Sequence, residues 1–60
     1  MSKEFFDAIR AGDREKVSGM LATDASLLEA KDENGLGAYT AAKYSGRNEL
    51  AAMLLQKGVE

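Results

Sequence analysis

The chain has 60 residues, 45% of them apolar, and ten of these are Ala. A chain this short buries only about 60% of the surface its unfolded form exposes, and its core rarely supplies more than ~3–5 kcal/mol, so one small domain spanning 1–60 is expected. The absence of Cys and His excludes disulfides, thiolate zinc sites and imidazole chemistry, and a net charge of −2 with interspersed signs lacks the clustered basic excess of a nucleic-acid binder.

The first residues, Met1-Ser2-Lys3-Glu4-Phe5-Phe6-Asp7, contain no apolar core of the kind a signal peptide carries. No stretch approaches the ~20 apolar residues that cross a bilayer. A soluble, cytoplasmic protein is the expectation.

Pro is absent, and the β-branched residues are Ile9, Val17, Thr23, Thr40 and Val59 alone. Ala, Leu, Glu and Lys dominate, which favours helix over strand. The first helix is predicted at about 3–11. Ser2 precedes it as N-cap, Phe5, Ala8 and Ile9 share one face, and Gly12 closes it. Asp13 then caps a second helix at about 14–22, with Val17, Met20 and Leu21 on one side. Gly19 inside it costs ~1 kcal/mol relative to Ala, and close approach of another backbone is the expected use.

Residues 23–37 read as irregular. Asp24-Ala25-Ser26 fits a short turn that buries Leu27 or Leu28, and Lys31-Asp32-Glu33-Asn34-Gly35 ends in a tight-turn dipeptide. Two more helices are predicted, at 38–45, closed by Gly46, and at 48–57, closed by Gly58. The expected core is Phe5, Ala8, Ile9, Val17, Met20, Leu21, Tyr39, Ala42, Leu50 and Leu54.

The chain also repeats itself. A shift of 34 residues pairs Ala8 with Ala42, Gly12 with Gly46, Glu15 with Glu49 and Leu21 with Leu55, and conservatively Phe5 with Tyr39, Val17 with Ala51 and Met20 with Leu54. A period of one helix pair plus a turn lies in the solenoid range, where units bury their faces by stacking.

From Asp32 the chain resembles the ankyrin repeat, with Asp32, Gly35, Ala42, Gly46, Glu49, Leu54, Leu55 and Gly58 in register with the family pattern, and Phe5–Asp13 is similar to a first ankyrin unit. The resemblance covers nearly the whole chain. It implies an all-α solenoid of two helix-turn-helix units, at about 3–31 and 32–60, joined by a hairpin-like turn. The family's Thr-Pro-Leu-His becomes Gly37-Ala38-Tyr39-Thr40, so the third helix is expected to start with a weak cap.

Catalysis by paired carboxylates has two candidates, Asp32 with Glu33 and Glu15 with Glu49. Turn formation and helix-dipole placement account for these acids more simply. Asp32-Glu33-Asn34-Gly35 lacks the alternating acids of a calcium loop, and the scattered glycines lack phosphate-loop spacing. No enzyme activity, metal or cofactor is expected.

The resemblance implies a non-enzymatic protein-binding scaffold that makes contact through the turn tip, at Glu33, Asn34 and Leu36, and through the inner helices, at Arg10, Ala11, Tyr44 and Ser45. The alternative is a self-associating unit, or an excised or engineered repeat fragment with no heterologous partner. With no polar closing unit in view, Leu50, Met53 and Leu54 are expected to leave an apolar face that a second copy covers, as a two-fold dimer or head to tail. Ala41, Ala51 and Ala52 would let it approach closely.

Overall fold

A computed structural model describes residues 2–58. The protein is all-α: α1 spans Lys3–Ala11, α2 Arg14–Thr23, α3 Ala38–Tyr44 and α4 Asn48–Gln56, with a short 3-10 turn, Ala25–Glu29, between α2 and α3. The four helices fall within one residue of the predicted bounds. Among the described residues there is no strand, only an isolated antiparallel bridge between Lys31 and Gly37. Val59 and Glu60, where the second unit was expected to end, lie outside the described residues.

The helices form two pairs whose connecting turns are built alike. Gly12 ends α1 with φ 75° and Gly46 follows α3 with φ 74°, a backbone region open to Gly at no steric cost. The Gly12 and Gly46 N–H groups donate to Ile9 and Lys43 carbonyls, each at 3.0 Å. The next N–H groups, of Asp13 and Arg47, donate to Ala8 and Ala42 at 3.0 and 2.8 Å. This is a Schellman closure made twice, 34 residues apart.

Helix starts are less uniform. Asp13 caps α2 by accepting the Lys16 N–H at 3.2 Å, as expected. Ser2 makes no such side-chain bond; its backbone carbonyl accepts the Phe6 N–H instead. Gly37 opens α3 with no side-chain cap.

α1 packs on both α2 and α3, and α3 packs on α4 and the 3-10 turn. The core joins Phe5, Phe6, Ala8, Ile9, Val17 and Leu21 to Ala38, Ala41, Ala42, Leu50, Ala51 and Leu54. The Phe5 and Phe6 rings meet edge to face at 5.4 Å. Two expected core residues, Met20 and Tyr39, are only half-buried at the margin of this cluster.

Repeat-equivalent residues differ in burial, and the differences are systematic. Buried Phe6, Ile9 and Leu21 correspond to exposed Thr40, Lys43 and Leu55. Buried Ala38, Ala41 and Leu50 correspond to exposed Glu4, Asp7 and Lys16. Each pair is therefore apolar where it meets the other and largely polar on its outer side.

Two expectations are overturned. Leu50 and Leu54 are 1% and 0% exposed and belong to the core between the pairs, so they leave no open apolar face; Met53 is half-buried, and Leu55 is the large apolar residue of α4 that stays exposed. Gly19 serves no close approach within the chain, because a Cβ there would meet nothing within 4 Å.

Candidate functional site

The loop between the 3-10 turn and α3 is held by one side chain. Asp32 Oδ1 accepts the N–H groups of Asn34 at 2.9 Å and Leu36 at 2.8 Å. The backbone of Asp32 donates to the Leu36 carbonyl at 2.8 Å and accepts from Gly35 at 2.9 Å. Gly35, at φ 81°, completes the turn that its Asn-Gly dipeptide predicts. A short polar side chain that folds back on its own backbone is the usual way such a tip is made rigid.

This rigid tip stands beside α1. Between them lies an open depression of about 540 Å³, walled by Lys3, Asp7 and Arg10 from the helix and by Lys31, Glu33 and Asn34 from the loop. Phe6, 1% exposed, lies behind its helical wall. Three of the predicted contact residues, Arg10, Glu33 and Asn34, thus come together in one place.

Charges in the depression alternate. Lys3 Nζ lies 3.2 Å and Arg10 Nη1 3.5 Å from the Asp7 carboxylate. Their i,i+4 and i,i+3 spacing puts all three on one helix face. The Asp32 carboxylate is occupied by the loop, so Lys31 and Glu33 are the loop's outward charges. An exposed surface of mixed sign and fixed geometry suits polar recognition of another chain better than binding of a small molecule, whose sites are enclosed and mostly apolar.

The other predicted contact residues lie outside this depression. Leu36 is half-buried and packs against the core. Ala11 and Ser45 are exposed at the ends of α1 and α3, and Tyr44, 83% exposed, projects from the last turn of α3. Lys3, Asp7 and Lys31 belong to the depression but were not singled out from sequence. The helical spacing of Lys3, Asp7 and Arg10 was the available signal, and it is shared by any solvated helix face.

No group of three or more acids converges as a metal site among the described residues, and Glu49 pairs loosely with Arg14 at 3.9 Å. No described helix is long and apolar enough to cross a membrane. No protein-family model matches the chain, and no curated protein or solved structure matches it either.

Proposed function

We propose that this protein is a non-enzymatic protein-binding module of ankyrin-like architecture. It presents the α1 face and the 31–37 tip to a partner protein. The observation that carries this reading is the meeting of Arg10, Glu33 and Asn34 around one open depression beside a tip held by Asp32. The ankyrin-like reading is supported by the sequence resemblance and by the doubled glycine closure 34 residues apart.

Mechanistically the module is a preorganised surface. Rigid loops and helices lose little conformational entropy on binding, so more of the contact energy appears as affinity. Arg10 and Glu33 supply charges of opposite sign on either side of the depression, which sets orientation and the rate of encounter more than raw affinity.

The test is a pull-down from cell extract with the full chain and with Arg10→Glu/Glu33→Lys, read by quantitative mass spectrometry. Both residues are exposed, so circular dichroism and melting should be unchanged. The reading expects a protein retained by the parent and lost with the double variant. An identical set of captured proteins would contradict it.

A further inference from the structure

Residues 34 apart in the sequence repeat fall on corresponding helices of the two pairs, and burial reports which side of each pair faces the other. Residues buried in the first pair but exposed at the equivalent place in the second mark the far face: Thr40, Lys43 and Leu55, in place of Phe6, Ile9 and Leu21. Residues buried in the second pair but exposed or half-exposed in the first mark the near face: Glu4, Asp7, Lys16 and Met20, in place of Ala38, Ala41, Leu50 and Leu54.

From this complementarity we infer that a second copy of the chain stacks head to tail, its near face on the far face of the first, in the register of the 34-residue sequence repeat. In that register Leu55 stands where Leu21 stands within the chain, and Met20 of the next copy stands where Leu54 does. Met20 borders an open depression of about 420 Å³ lined also by Lys16, Gly19, Thr23, Asp24 and Leu27, in which Met20 and Leu27 give the Leu55 side chain an apolar seat with Lys16 and Asp24 at its rim. Lys43 takes the place of Ile9, opposite Glu4 and Asp7 in the places of Ala38 and Ala41. A cation on the far face therefore meets two acids on the near face.

Within one copy Glu4 pairs with Lys16 at 3.6 Å and Asp7 with Lys3 and Arg10, so the contact between copies exchanges exposed ion pairs for others and is weak and salt-sensitive. The contact is heterologous, so each added copy leaves the same face free and growth does not stop at two. Asp7 borders both this stacking face and the α1–loop depression, whereas Glu4 and Lys43 line only the stacking faces and so separate the two.

Sedimentation velocity of the full chain from micromolar to millimolar concentration, at low and high salt, tests it. The weight-average mass should rise past that of a dimer at low salt and fall back at high salt. Lys43→Glu and Glu4→Lys, each exposed and checked for folding by circular dichroism, should each reduce association, and mixing the two variants should restore it. A mass independent of concentration overturns the inference. So does one that levels off at a dimer, or association that ignores both charge reversals.

Discussion

The Arg47 Nε–H donates to the backbone carbonyl of Arg10 at 3.0 Å, across 37 residues of sequence. That carbonyl belongs to the last turn of α1, where backbone acceptors lack helical partners and the dipole favours a cation. The Arg47 side chain also lies over Gly12, where an added Cβ would approach it to 3.1 Å. One side chain thus closes α1 and fastens the second helix pair to the first. Arg47→Ala should lower stability by ~1 kcal/mol, measured by urea denaturation, and Arg47→Lys should not restore it, because Lys has no Nε–H at that place on the stem. Unchanged stability in Arg47→Ala would show that solvent serves the Arg10 carbonyl equally well.

Leu21 and Leu55 occupy the same repeat position, yet one is 6% and the other 55% exposed. Leu21→Ala should cost ~2–5 kcal/mol, the range for a buried Leu, and largely unfold so small a domain. Leu55→Ala should stay within ~0.5 kcal/mol of the parent, as exposed substitutions do. Dilute solution is essential, since self-association would stabilise the parent. Equal losses at the two positions would contradict the placement of the second helix pair.

Gly19 has an ordinary helical φ, is exposed and has open space where a Cβ would stand. Gly19→Ala removes the entropic penalty of a helical glycine and should add ~0.5–1 kcal/mol. For a domain of this size a gain of ~1 kcal/mol raises Tm by ~4–8 °C. A fall in Tm would mean that α2 departs from regular helix near this residue.

Asp32 is predicted to govern the tip. Asp32→Ala leaves the Asn34 and Leu36 N–H groups without their carboxylate acceptor, and their amide hydrogen exchange should accelerate by at least tenfold, which corresponds to about 1.4 kcal/mol of lost local stability. Asp32→Asn keeps an acceptor oxygen and should recover much of the protection. Protection unchanged in Asp32→Ala would assign the rigidity of the loop to its backbone bonds alone.

These features differ in how far local chemistry reveals them. The glycine closures, the Asp13 cap and the Asn-Gly turn are made by residues within a few positions of one another, so they could be read directly from the sequence. Phe6 was missed because Phe5 already marks the apolar face of an amphipathic α1. It is buried because α1 is covered from two sides, by α2 and by α3. Ala41 and Ala51, expected with Ala52 on an open face, are instead buried in the core with Ala38, because small side chains let the helices within the chain meet closely, and only Ala52 is exposed. Met20 and Tyr39 sit at core positions of the repeat but remain half-buried at its edge. At the candidate site, Arg10, Glu33 and Asn34 came from the resemblance, while the opposition of α1 to the loop is a tertiary arrangement. The Arg47–Arg10 bond, spanning 37 residues, leaves no local trace.

Site-specific photo-crosslinking in cells is the most direct test of the central claim that the α1–loop depression is the protein-binding surface. A photoreactive residue is placed in turn at Arg10, Glu33 and Asn34, and, as controls, at exposed Glu15 and Gln56, with products identified by mass spectrometry. The account predicts that the three positions around the depression capture the same protein and that the two controls do not. Capture of that protein equally from all five positions, or of unrelated proteins from Arg10, Glu33 and Asn34, would contradict it.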